Sequence, residues 1–174
     1  LEVIPPHVIV TMRTFTGAVA HCDQRFSEHG RWLLSGHALL HAVNIQADPV
    51  KVRDALTTLQ GLRGWTGADV SGGGKVGDQW SLKYPDGPTF VWEVTTHDAN
   101  KVVWKCVKGP GDAAGTAVNF DIGQTSDGRV HLKFAHSGWP HQEGNFAKCN
   151  ALWGMMLHQL RAFAEHGKIA PAHA

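Results

Sequence analysis

Cysteine is scarce in this sequence and does not pair off. Cys22, Cys106 and Cys149 are the only three. An odd number without paired metal-type spacing points away from a disulfide framework and toward free buried thiols in a reducing compartment, so the cytoplasm is the expected location. Long apolar runs are also missing. None reaches the roughly eighteen residues that a membrane span needs, and Phe15 to Ala20 is too short and too polar for a signal-peptide core. Charge of one sign is absent too: 16 Lys and Arg stand against 15 Asp and Glu, for a net charge of +1. With both signs scattered, no basic stripe tracks a phosphate backbone, and nucleic acid is not an expected partner.

Several catalytic fingerprints are lacking. There is no Gly-x-Ser-x-Gly elbow and no glycine-rich dinucleotide motif. The run Ser71-Gly72-Gly73-Gly74-Lys75-Val76-Gly77 invites a phosphate-loop reading. Asp69 stands where that motif needs its first glycine, however, and Val76 follows the lysine where Ser or Thr is required. The segment reads as a loop before a strand. His37 and His41 stand four apart, but Ala38 replaces the glutamate of a zinc-protease helix and the setting is a strand. Twelve histidines in such a chain produce pairs of this kind by chance. No metal and no cofactor are expected.

What is present is enough apolar residue for one domain: 174 residues, 43% hydrophobic, seven of them tryptophan. Its most legible part is a helix from Gly144 to His166. Phe146, Cys149, Trp153, Met156, Leu157, Leu160, Phe163 and Ala164 recur at steps of three and four, on one stripe. About twenty-three residues at 1.5 Å rise make a rod of roughly 34 Å, long enough to lie across a whole sheet. Gly167 and Pro171 stop it, and the turn His136-Ser137-Gly138-Trp139-Pro140 feeds it.

Leu39, His41, Val43 and Ile45 alternate with Leu40, Ala42 and Asn44, as a half-buried strand does. Asp48 is a helix N-cap and Pro49 a first helical residue. Val50, Val52, Ala55, Leu56 and Leu59 form the apolar face of that helix before Gly61 ends it. The stretch from Gly61 to Gly67, which holds Leu62 and Trp65, has too much glycine for more than one turn. Five strands follow: Trp80 to Tyr84, Phe90 to Val94, Val102 to Cys106, Thr116 to Ile122 and Val130 to His136, separated by turn signals such as Pro85-Asp86-Gly87-Pro88. A meander with one bulky apolar face needs a lid, and the final helix supplies it. Leu1 to Gly36 shows no sustained period and reads as an appendage or an expression-derived segment, poorly ordered or partly helical. Arg25 to Leu34 is its one short helical stretch and Met12 a candidate natural start. The domain proper is expected over 37–171, with a tail at 172–174.

The order of parts resembles the START-like (SRPBCC) helix-grip superfamily, and the local wording resembles its heat-shock-protein ATPase activator-like branch. The similar pieces are Ala47 to Val52 with Ala55-Leu56, Gly64-Trp65, Val76-Gly77-Asp78, Trp92-Glu93-Val94, Lys101 to Trp104, Phe134 to Trp139, and Trp153 followed by Leu160. They span most of the chain. The resemblance implies an α+β helix-grip fold: a curved antiparallel sheet of about six or seven strands wrapped on a long C-terminal helix, with two short helices after the first strand. It also implies a cavity between sheet and helix.

The residues argue for the same place. Trp80, Phe90, Trp92, Trp104, Phe120 and Phe134 share one face by strand parity, opposite Trp153, Met156 and Leu157 on the helix. These rings either enclose a cavity or fill it as solid core. By the same parity His41 and His136 point inward and Glu93 points away. First and last strands are neighbours in a helix-grip sheet, so the two histidines are candidates for a proton-transfer pair, or for core-edge histidines bonded to backbone. Trp139, in the turn, either walls the cavity mouth or plugs the gap between turn and helix, and Trp65 carries the same alternatives. The first functional expectation is a module that binds a small apolar or aromatic molecule in the cavity. A co-chaperone-like module with a chaperone or other protein partner is the alternative, and a cyclase- or isomerase-like enzyme using the cavity histidines is the second. Because the appendage lacks pattern and turn chemistry, a chain starting at His37 is expected to melt cooperatively near the full-length temperature. Loss of soluble expression on that truncation would move the boundary.

Overall fold

The computed structural model describes residues 37–168. The readings placed on Leu1 to Gly36, and on Pro171 and the tail, lie outside the described residues. Within them the chain runs β1 (His37–Ile45), α1 (Pro49–Thr57), α2 (Leu59–Thr66), β2 (Asp69–Gly72), β3 (Gln79–Lys83), β4 (Thr89–His97), β5 (Lys101–Lys108), a turn of 3-10 helix (Gly111–Ala113), β6 (Ala117–Gln124), β7 (Val130–Trp139) and α3 (Asn145–His166). The strands form one seven-stranded antiparallel sheet in the order β1-β7-β6-β5-β4-β3-β2. First and last long strands are therefore neighbours, with α3 across the inner face of a curved sheet. No helix among the described residues is long and apolar enough to cross a membrane.

Asp48 caps α1, its Oδ1 accepting the Val50 N–H at 2.7 Å, and Pro49 takes the first turn. The helix then breaks at Thr58 and not at Gly61. Thr58 is extended (φ −117, ψ 150), and its one hydroxyl serves both helices, donating to the Asp54 carbonyl at 2.7 Å and accepting from the Gly61 N–H at 2.9 Å. A second helix of eight residues thus occupies the stretch expected to hold a single turn, ending at left-handed Gly67 (φ 69). Gly61 is there for clearance. A Cβ on it would run into the Asp54 carbonyl oxygen and lie 2.6 Å from Ala55 Cα.

Two further expectations change. Ser71 and Gly72, read as the start of a loop, instead end a short edge strand β2 (Asp69–Gly72), paired with β3 from Asp69 opposite Lys83 to Gly72 opposite Trp80, and the loop begins only at Gly73. Strand β7 also runs on through the expected turn to Trp139. Its register with β1 shifts between the pairs Leu39 to His136 and His37 to Trp139, and Gly138 takes φ 87 at that bulge. The extra residue turns Trp139 inward, on the same side as His136, and both are fully buried.

Gly61→Ala is expected to destabilise the fold by about 1–3 kcal/mol despite alanine's better helix propensity, because its contacts are backbone atoms that cannot rotate aside. A denaturant midpoint equal to or above that of the parent chain would show that α1 and α2 can separate without loss.

Candidate functional site

A cavity of about 310 Å³ lies between α3 and the β3, β4, β5 and β7 end of the sheet. Its deep part is aromatic. Trp92 and Trp104 approach at 6.4 Å between ring centroids, Phe90 stacks on Trp92 at 5.8 Å and 10°, and Trp65 and Trp153 complete the wall. Its mouth lies between Tyr84 and Pro88, beside the β3–β4 turn, and Leu152, Met155, Met156 and Gln159 on α3. Leu152 and Met155 are about half exposed, at 49% and 52%.

Of the residues expected at the site, Trp65, Phe90, Trp92, Trp104, His136, Trp153 and Met156 line this cavity. The others do not. Phe120 and Phe134 sit 5.2 Å apart, and Phe134 lies 4.4 Å from Trp153, so this half of the face is packed solid. Leu157 is buried outside the lining. Trp80 is covered by the β2–β3 loop, where a Cβ on Gly74 would come within 2.8 Å of its ring. Trp139 is a plug, 4.7 Å from His136 and edge-on to Phe146 at 6.0 Å, at the start of α3. Cavity and solid core therefore coexist, divided by the Trp153 ring.

The two-histidine pair does not form. Across the β1–β7 ladder His136 faces Leu39, and His41 faces Phe134. His41 lies beside the Phe134 ring at 6.0 Å, outside the lining, where desolvation lowers its pKa and the Asn150 side chain pulls the other way. Both ring nitrogens of His136 are committed. Trp153 Nε1–H donates to Nδ1 at 2.9 Å, which leaves the proton on Nε2, and Nε2 donates to Thr116 Oγ1 at 2.8 Å. The Thr116 hydroxyl passes its own proton to the Ala113 carbonyl at 2.6 Å. The imidazole has no lone pair for a ligand and no proton to give. Burial drives its pKa down to about 3. Trp65 shows a similar commitment, its Nε1–H bonded to the Ala55 carbonyl at 2.8 Å while its ring faces the cavity.

Sequence reasoning missed Leu82 and Tyr84, although both continue the Trp80 alternation, and Cys149, although it belongs to the helix stripe. Leu152, Met155 and Gln159 repeat at three and four and form a second, flanking stripe; that spacing was the available signal. Thr66 and Pro88 carried none. Among the described residues, no Asp, Glu, Lys or Arg lines the cavity. Burial raises the Tyr84 phenol to about 12 and the Cys149 thiol to about 11, so both stay protonated near neutrality. The described residues contain no cluster of His, Cys, Asp and Glu fit to hold a metal ion.

Sheet order, long lid helix and the cavity between them define a helix-grip protein of the SRPBCC kind. Residues 46–165 match the family described as Activator of Hsp90 ATPase homolog 1-like protein, and the chain belongs to that family. Among solved structures, the Aha1 dimer from Colwellia psychrerythraea is 30% identical, with a TM-score of 0.69 over 76% of this chain and 98% of that one. DynU16, from the dynemicin biosynthetic locus, is 19% identical with a TM-score of 0.66 over 76% of this chain and 48% of that one. CalU16 from Micromonospora echinospora is 16% identical with a TM-score of 0.63 over 78% of each chain. At that identity these two show the fold alone. No curated protein sequence matches the chain.

The His136 network sets a pH dependence. Unfolded, His136 titrates near its ordinary 6.5; folded, near 3. Between those values only the unfolded chain takes up the proton, so this contribution is complete above about pH 6.5 and declines as pH falls toward 3, by up to about 4 kcal/mol. Unfolding in denaturant at several pH values, on the parent chain and on His136→Gln, should show a slope that the variant largely lacks. An unchanged slope would assign the dependence to other groups.

Proposed function

We propose that this protein binds a small hydrophobic or aromatic molecule in the cavity between the sheet and α3. The observation that carries this reading is an uncharged, predominantly apolar hollow of about 310 Å³ with several aromatic rings in its wall, at the lower end of the range for ligand pockets, with a mouth on the surface. A chain built only to be stable would gain by closing it, because unfilled volume forfeits packing contacts. The half-exposed Leu152 and Met155 at the rim suit the entry of an apolar guest.

A co-chaperone-like interaction is the second reading. The family's description supports it, as do the same two exposed side chains, which would then meet a protein partner. The cyclase- or isomerase-like alternative loses its proposed acid and base, since His136 is fully bonded and His41 lies elsewhere.

Four of the seven tryptophans line the cavity, so binding should quench intrinsic fluorescence and raise the melting temperature by mass action. Met156→Trp should fill the hollow and abolish both effects while leaving the far-ultraviolet circular dichroism intact. If a panel of flavonoids, aromatic polyketides and fatty acids shifts neither signal, the cavity reading fails. Stimulation of a purified Hsp90 ATPase would then be the measurement for the second reading.

A further inference from the structure

His136, the inward-facing histidine of the cavity lining, has both ring nitrogens bonded within the protein and cannot anchor a ligand's polar end. We infer that the cavity takes an uncharged bicyclic or tricyclic aromatic molecule, rings inward, whose one hydrogen-bonding oxygen stays at the mouth between the Tyr84 hydroxyl and the Gln159 amide. This deepens the small-molecule reading and rests on it.

The deep end offers a ligand no hydrogen bond beyond the weak one a Cys149 thiol can donate. His136 is committed at both nitrogens and Trp65 Nε1 to the Ala55 carbonyl. The Thr66 hydroxyl donates to the Leu62 carbonyl at 2.7 Å. Trp104 Nε1 has no partner among the described residues, but it is buried among its neighbours and has almost no accessible surface. An oxygen carried inward would lose its water and gain at most a thiol's weak bond.

The mouth is different. Tyr84 is the only tyrosine of the chain, and among the described residues its hydroxyl meets only Met156 Sδ, at 3.8 Å. A thioether is a weak acceptor, so a ligand oxygen at that point replaces a poor partner with a good one. Gln159 lies one helical turn beyond Met156 on the same rim and adds an amide that both donates and accepts.

Charge and shape narrow the class. With no charged side chain in the lining and with Tyr84 and Cys149 protonated, a carboxylate placed there would exchange water for neutral donors and no counter-charge. Fatty acids are therefore disfavoured. The near-parallel Phe90 and Trp92 rings present a flat wall, and the volume is that of about ten waters, suited to fused rings.

Three matched probes test this by titration calorimetry at neutral pH: naphthalene, 2-acetylnaphthalene and 2-naphthoate, against the parent chain, Tyr84→Phe and Gln159→Leu. The ketone should bind the parent about tenfold more tightly than the carboxylate does. It should lose about tenfold in Tyr84→Phe and a smaller factor in Gln159→Leu, while naphthalene binds all three proteins alike. Naphthalene also reports whether each variant keeps its cavity. Naphthoate binding as tightly as the ketone, or a ketone affinity unmoved in both variants, overturns the assignment and leaves cavity binding standing. If the parent chain binds none of the three probes, naphthalene included, cavity binding itself falls.

Discussion

The hydrogen bond from Trp153 to His136 is what the two halves of the molecule depend on. It joins α3 to β7 inside an apolar layer, and it continues through Thr116 to the Ala113 carbonyl, next to the start of β6. Each polar group in that line is worth little so long as it is paired. Removing one member strands its neighbour in a medium without water, at about 1–3 kcal/mol for a neutral group. The line therefore specifies how far along the sheet the helix rests. Apolar contacts between Trp153 and the Phe120 and Phe134 rings supply much of the attraction, but they tolerate sliding, and a hydrogen bond does not.

Fixing Trp153 in this way also divides the interior. On one side its ring meets Phe134 and Phe120 in solid packing; on the other it is a wall of the cavity. A residue held by both packing and a hydrogen bond cannot swing into the hollow and close it. The hollow thus persists beside a close-packed core, and its readiest polar groups lie at the rim because His136, Trp65 Nε1 and the Thr66 hydroxyl are bonded within the fold.

How much of this was legible in the sequence follows from which signals are local. The long helix, the strands from β3 onward and the Asp48-Pro49 helix start all announce themselves within a few residues, and they stand as expected. Parity reports which face of a sheet a side chain takes and nothing about where along that face it lies. Trp80, Phe120 and Phe134 therefore share a face with Trp92 and Trp104 without sharing the cavity. Strand β2 has four residues, one of them glycine, and is a strand only because β3 pairs with it. The helix break went to Thr58 because a threonine hydroxyl that serves two helices is visible only once the corner between them exists. His136 was placed on the inner face correctly, but neither of its two readings, proton-transfer partner or core-edge histidine bonded to backbone, named its side-chain partners, which stand 17 and 20 residues away in different elements.

The bulge at Gly138 separates two properties that an uninterrupted strand would tie together. In regular alternation, the residue after His136 that next faces inward would be Gly138, with no side chain to offer. One added residue brings in Trp139, and its ring packs on His136 and edge-on to Phe146, closing the gap between β7 and the start of α3. Closure there is set by a single insertion in β7, while the cavity rim is composed by α3 and the β3–β4 turn. Variation in the cavity rim can accumulate without loosening the seal, and a change of seal need not redraw the rim.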